Sequence, residues 1–384
     1  MNDYLTHIWT GMMNKFFSPY FARGGSTEIG FVATPSNFAV FWGVKPTFSE
    51  NNLFVRRKHR IFAPDSTRHA SCRKTSEPGR VVYFHSLMRY TKQALSLAEQ
   101  IDILRQRGLL IDDEALCLNA LSNISYFRLA GYWRPFEQDK EQHIFKSGSR
   151  FSSVVQLYWF DSELKIIIFA AIQRIEIAVR TKMIQHVAKK HGPFWFIDET
   201  LAIDHETFEA CLSSLRRELS RTSDEFIREH FLKYDEPEFP PAWKTLEVAS
   251  MGTLSKLYSN LNDYKVRKKI AHEFNIPEHL CMASWLRSLT VIRNACAHHT
   301  RLWNAHVPIA PQMSGRMRGF WIRNFNFPAD RLYSPLCCIA YWLQSIDTYN
   351  TFTSDIKALL SKYPTVDPIA MGFVRGWKDE VLWR

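Results

Sequence analysis

No apolar run in this 384-residue chain is long enough to cross a bilayer. The most hydrophobic stretch, 166–172, falls well short of the ~20 residues a membrane helix needs. It also runs straight into Gln173-Arg174-Ile175-Glu176. The opening Met1-Asn2-Asp3-Tyr4 has neither the basic region nor the apolar region of a secretory leader. A disulfide framework is missing too. The seven cysteines, Cys72, Cys117, Cys211, Cys281, Cys296, Cys337 and Cys338, are odd in number, scattered and mostly set in apolar helical context. They read as reduced thiols of a soluble cytoplasmic protein, with no membrane partner. Strand alternation, internal repeats and low-complexity tracts do not stand out either. These absences leave an all-α globular protein.

What is present is a large apolar and cationic content. Hydrophobic residues make up 46% and aromatics 14%, enough for a sizeable core in one large domain or two smaller ones. The net charge of +11 and pI near 9.3 favour a polyanionic partner, nucleic acid ahead of a membrane surface.

Residues 1–87 mix aromatics, Gly, Pro and Ser without sustained periodicity and carry the cluster Arg56-Arg57-Lys58-His59-Arg60. They read as an irregular upstream extension with the native start at Met88, or else as a basic RNA-binding arm. Residues 88–384 form the patterned domain. Ser96 caps a first helix that Gly108 ends. Asp112-Asp113-Glu114 opens a second, with Leu116, Leu118 and Leu121 inward, and Ser122 caps a third through Tyr126-Phe127-Arg128-Leu129-Ala130-Gly131-Tyr132-Trp133. Arg128 and Arg134 beside these aromatics either stack on bases or rim a core.

The longest pattern covers about 153–190 and stops at Gly192-Pro193. Leu164, Ile167, Ile168, Ala171, Ile175, Ala178, Val179 and Met183 give it a core stripe at three- and four-residue steps. Glu176 and Arg180 share one face as an ion pair, with the surface reading the simplest. Arg180 and His186 stand six apart, on separated faces. A solvated helix pair is expected over 198–233 and a linker over 236–241. One helix is expected over 243–261, then a solvated basic run, Lys265 to Lys269. A last helix should span 336–346 before an extended tail.

The motif helix covers about 280–304 and sets Arg293, Asn294, His298 and His299 into an otherwise apolar run. Arginine is a permanent cation with a planar fork of donors, and histidine is the residue type suited to proton transfer near neutrality. RNA supplies its own 2′-hydroxyl nucleophile. Arg293 as phosphate clamp and His298 as general acid–base form a minimal kit for cleaving RNA, and no metal or cofactor is required. Asn294, four residues before His298, orients the imidazole or a phosphate, with His299 as auxiliary. On an ideal helix Arg293 and His298 lie roughly 140° apart. A two-fold pairing of two such helices in a homodimer would complete the site. Two plainer readings stand beside this one, helix-end polarity and a Cys296–His298–His299–His306 metal cluster. Adjacent helical positions rarely converge on tetrahedral zinc.

Five ordered blocks bring a family into view. They are Tyr90-Thr91-Lys92, Ile101-Asp102-Ile103-Leu104-Arg105-Gln106-Arg107-Gly108-Leu109, Tyr126 to Tyr132, Arg174-Ile175-Glu176-Ile177-Ala178-Val179-Arg180-Thr181, and Arg293-Asn294-Ala295-Cys296-Ala297-His298-His299. Together they resemble the Abi-like abortive-infection proteins of the AbiD/AbiF group, from about Tyr90 to Arg384. That group is similar to the HEPN superfamily of helical ribonucleases, whose signature is R-x4-6-H. The resemblance implies a HEPN-like bundle with added helices and a toxin-like endoribonuclease of bacterial antiviral defence. It makes Arg293 and His298 the signature pair, Asn294 the polar follower, and Glu176 and Arg180 auxiliary. RNA is the implied substrate, and a small antitoxin or regulatory RNA a further partner. A non-catalytic RNA-binding or sensor protein on the same scaffold is the competing reading.

Overall fold

The computed structural model describes residues 90–384, so the expectations for residues 1–87 and for a start at Met88 lie outside the described residues. Those described are helical apart from short turns, loops and one hairpin of β1 (Glu137–Asp139) and β2 (Ile144–Phe145). The all-α class holds.

The first helices are set by side-chain caps. In α1 (Leu97–Gln106) the Ser96 Oγ accepts from the Glu99 amide, and the Glu99 carboxylate accepts from the Ser96 amide at 2.7 Å. This reciprocal pair satisfies two otherwise orphaned donors. Asp113 caps α2 (Glu114–Asn123). The buried face of α2 is Cys117, Ala120 and Leu121, whereas Leu118 is exposed, one step off the expected stripe. Ser125, rather than Ser122, caps α3 (Tyr126–Trp133). Ser122 is still inside α2 and donates to the Asn119 carbonyl.

At the centre runs α4 (Phe151–Met183), continued by a wider π turn (Ile184–Ala188) and a last α turn (Lys189–His191). Gly192, at φ +88°, ends it in a conformation that a side chain would strain. The stripe from Leu164 to Met183 is buried as its spacing requires, with Ile167 and Ala178 at the margins. Around α4 pack α3, α10 (His279–Ala297), α11 (Tyr333–Ile346) and α12 (Phe352–Lys362). The remaining helices are α5 (His205–Arg221), α6 (Glu225–Lys233), α7 (Ala242–Val248), α8 (Met251–Asn260) and α9 (Tyr264–Glu273).

Three expectations need correction. Residues 236–241 are not a free linker: Phe239 is buried, its ring 5.6 Å from Phe196, and the Pro240 carbonyl accepts from Thr245 Oγ1 at 2.6 Å. The expected helix over 243–261 is two helices. Ser250 turns extended and caps α8 by accepting from the Thr253 amide, which interrupts the run. The tail is not extended either. It contributes α12 and tight turns whose Phe373, Trp377 and Trp383 rings pack on Tyr333 and on one another.

Asp263 caps α9 through the Val266 amide and receives Lys190 Nζ and His191 Nε2 from the end of the long helix. Burial alone would raise its carboxyl, but these hydrogen bonds and the Lys190 charge hold it down at about 2. A carboxyl held below its unfolded value of about 3.8 stabilises the fold above that pH. The contribution fades as pH falls from about 4 towards 2. Asn caps as well as Asp does but carries no charge. Urea unfolding should therefore find wild type more stable than Asp263→Asn above about pH 4 and level with it near pH 2. A gap unchanged at the acid end would assign the effect to the hydrogen bonds alone.

Candidate functional site

Two clefts flank the C-terminal half of α10, and the expected site residues divide between them. The first, of about 220 Å³, is lined by Phe169, Gln173, Glu176, Ile177, Arg180 and Arg293. Arg293 Nε lies 3.8 Å from Glu176 Oε2, and its guanidinium carbon 5.6 Å from the centre of the Phe169 ring. Glu176 Oε1 accepts from Arg180 Nη2 at 3.2 Å. Arg180 also donates to the Ala249 carbonyl and faces Glu247 Oε2 at 3.6 Å. The Glu176 and Arg180 side chains are only 13% and 10% exposed.

The simple surface pair expected from their spacing is therefore a mostly buried network joining α4 to α10 and to the turn before α8. Burial pushes the Glu176 carboxyl above its ordinary range, and the Arg293 and Arg180 charges offset that only in part. Arg293 Nε has no hydrogen-bond partner although it is buried, while the side chain as a whole stays one-third exposed. Nε itself faces the Glu176 carboxylate, so it is the exposed remainder of the guanidinium that is open to an anion.

Structure corrects the position of His298. The helix stops at Ala297 rather than near 304, and His298 is its C-cap, with its amide bonded to the Asn294 carbonyl at 2.9 Å. Thr300 N–H then reaches back to the Ala295 carbonyl and His299 N–H to the Cys296 carbonyl, closing a Schellman turn. Its left-handed position, usually glycine, is held by His299 at φ +56°. Strain of this kind collects at functional sites. Arg128 Nη1 steadies the turn by donating to the His299 carbonyl at 2.8 Å.

His298 and His299 expose their imidazoles, and neither ring has a hydrogen-bond or ionic partner among the described residues. They line the second cleft, about 360 Å³, with Ser125, Phe127, Arg128 and Arg301. Asn294 is exposed on the same end of α10. Arg293 and His298 are thus not brought into one cleft within a single copy. Arg180 and His186 are also held apart, the latter against Glu273 at 2.6 Å.

Two residues of this second cleft, Phe127 and Arg301, and one beneath it lie outside the sequence-derived site. Phe127 is 90% exposed, whereas Tyr126 and Trp133 pack edge to face in the core. Arg301 donates to the Gly131 carbonyl, and burial lowers its pKa. Beneath them lies Asp161, fully buried on α4. Its Oδ1 accepts from the Leu302 and Trp303 amides at 3.0 and 2.6 Å, and its Oδ2 from Tyr132 Oη and Lys165 Nζ at 2.7 and 2.9 Å. The only sequence signal for it is an acid inside an apolar helical run.

Cys296 is buried with its thiol pushed up to about 12, and among the described residues no three His, Cys, Asp or Glu are grouped to hold a metal ion.

Residues 119–304 match the Abi-like protein family. No curated protein and no solved structure matches the chain. The Abi-like span holds both clefts, the Glu176 network and Asp161; α11, α12 and the aromatic tail follow it. The match supports an Abi-family protein.

Proposed function

We propose that this chain is an endoribonuclease of the HEPN type, related to the AbiD/AbiF group, that acts as a toxin in the bacterial cytoplasm during abortive infection. The observation that carries this reading is the end of α10 inside the Abi-like span. There a one-third-exposed guanidinium and an unpartnered, exposed imidazole stand five positions apart.

Arg293 holds the scissile phosphate and stabilises the charge that builds on it. His298 takes the 2′-hydroxyl proton as the 2′-oxygen bonds to phosphorus, and an imidazolium returns a proton to the departing 5′-oxygen. The products are a 2′,3′-cyclic phosphate and a 5′-hydroxyl. Asn294 orients the phosphate or the ring, and His299 is auxiliary. Glu176, anchored by Arg180, aims Arg293.

Because Arg293 and His298 open into different clefts, the reactive unit is a homodimer in which two α10 ends face each other. The face of α4 that exposes Ile166, Phe169 and Ile177, the last two lining the Arg293 cleft, supports such a pairing. Ile166→Glu, a charge on that stripe well away from the core, should give a folded monomer by sedimentation with little RNA cleavage. A wild type that is monomeric and fully active would sink the dimer.

The separation of the two clefts also favours a second reading, a non-catalytic RNA-binding or sensor protein on this scaffold. Purified protein incubated with total RNA decides between them. Cleavage that leaves cyclic phosphate ends, survives chelator and vanishes in His298→Ala supports the nuclease, whereas intact RNA under all conditions supports the sensor. A restraining antitoxin or small regulatory RNA belongs to the first reading. No helix of the described residues is long and apolar enough to cross a membrane.

A further inference from the structure

Mostly beyond the Abi-like span, with Asn275 from within it, the chain builds a cleft of about 630 Å³, larger than either cleft beside α10. The loop 314–320, α11, the start of α12 and the last residues enclose it, and its polar lining includes Arg318, Gln344, Asn350, Thr353 and Arg384. Phe320 stands at the rim, 63% exposed. Among the described residues no acidic side chain lines the cleft. Arg318 has no carboxylate partner among the described residues, and Arg384 engages the Asp379 carbonyl through Nε. A cation such as Arg318, unpaired in a concave site, favours an anion.

Side chains from α11 and Trp321 tie down carbonyls of the loop while Arg318 and Phe320 stay exposed. Tyr341 Oη donates to the Arg318 carbonyl at 2.9 Å, Gln344 Nε2 to the Phe320 carbonyl at 3.3 Å, and Trp321 Nε1 to the Ser314 carbonyl at 2.9 Å. Gly319, at φ +76°, supplies the turn that sends Arg318 and Phe320 out beside each other. A presented phenyl face, two guanidinium groups, and amide and hydroxyl groups between them match an unpaired nucleobase with its flanking phosphates. In a duplex the base faces are stacked and cannot reach Phe320.

We propose that this cleft binds single-stranded RNA, stacking one base on Phe320 and holding adjoining phosphates with Arg318 and Arg384. The inference rests on the reading of RNA as substrate and not on cleavage itself.

The test is binding of a short fluorescent single-stranded RNA to the full chain, followed by anisotropy across a salt series. Phe320→Ala should weaken binding about tenfold, and Phe320→Trp should preserve it. Arg318→Ala should weaken it similarly and lower the salt slope by about 0.7 for one lost phosphate contact. Both positions are exposed, so circular dichroism should be unchanged. The same sequence as a duplex should be insensitive to Phe320→Ala.

If His298→Ala leaves cleavage intact while Phe320→Ala still weakens binding, the catalytic reading falls and the groove stands. If cleavage depends on His298 but strand affinity is unchanged in Phe320→Ala and Arg318→Ala, the groove is overturned. A mononucleotide that displaces the strand at equal concentration would make the ligand a free nucleotide and also overturn it.

Discussion

Alanine at Arg293 or His298 is expected to slow RNA cleavage by about a thousandfold or more, with the fold intact. A positioned acid–base is worth roughly 10²–10⁴ in rate, and a donor aimed at developing charge roughly 10²–10³. Neither substitution empties the core, because His298 is exposed and Arg293 one-third exposed. The two losses should not multiply. Groups that act in one step fail together, so the double variant should be little slower than the worse single one. The fall should appear in kcat, with KM nearly unchanged for His298→Ala, because the phosphate clamp remains.

Arg293→Lys keeps the charge but loses the planar fork, so it should recover only a fraction of the rate. Glu176→Gln should act in the same direction as Arg293→Ala but less, since it loosens the clamp rather than removing it. Single-turnover assays on an end-labelled RNA measure all five variants. A double variant that cleaves at the wild-type rate would remove α10 from the chemistry.

Periodicity exposed what depends on one chain's own repeat. The core stripe of the long helix, the cap at Ser96 and a helix opening at Asp112-Asp113-Glu114 follow from side-chain spacing and local donors, and all stand as read. What escaped depends on partners distant in sequence. Residues 236–241 have linker composition, yet Phe239 finds Phe196 and becomes core. The tail shows no period because it packs by aromatic density, ring on ring, around Tyr333. Glu176 and Arg180 have the spacing of a surface pair, but the approach of α10 and the Ala249 carbonyl buries them.

The motif shows the same division. Arg293 and His298 are visible as residue types at a spacing. The helix end between them is set by a turn with no glycine in it, so no sequence signal placed His298 at a cap.

Asp161→Ala is expected to destabilise the protein by about 3–5 kcal/mol, the usual cost of removing one member of a buried charged cluster. The carboxylate is fully buried and accepts four hydrogen bonds. Its loss leaves the Lys165 ammonium without a counter-charge and the Leu302 and Trp303 amides without acceptors, in a site closed to water. For a domain of this size the melting temperature should fall on the order of 10 °C.

Asp161→Asn separates the parts of this effect. An amide oxygen can still take the two backbone donors, but the charge that offsets Lys165 is gone, so most of the loss should persist. A hydrophobic partner at 165 should then recover stability: Asp161→Asn with Lys165→Met is expected to be more stable than Asp161→Asn alone.

The functional consequence follows from chain order. Leu302 and Trp303 come directly after the turn that carries His298 and His299, so Asp161 fixes the far end of that turn to α4. At a temperature where the variant is fully folded, cleavage by Asp161→Asn should lose kcat more than it gains in KM, because the imidazole is less well held rather than absent. Differential scanning calorimetry beside single-turnover kinetics reads both effects. If Asp161→Ala unfolds within about 1 kcal/mol of wild type, the buried cluster is not the anchor of the histidine turn.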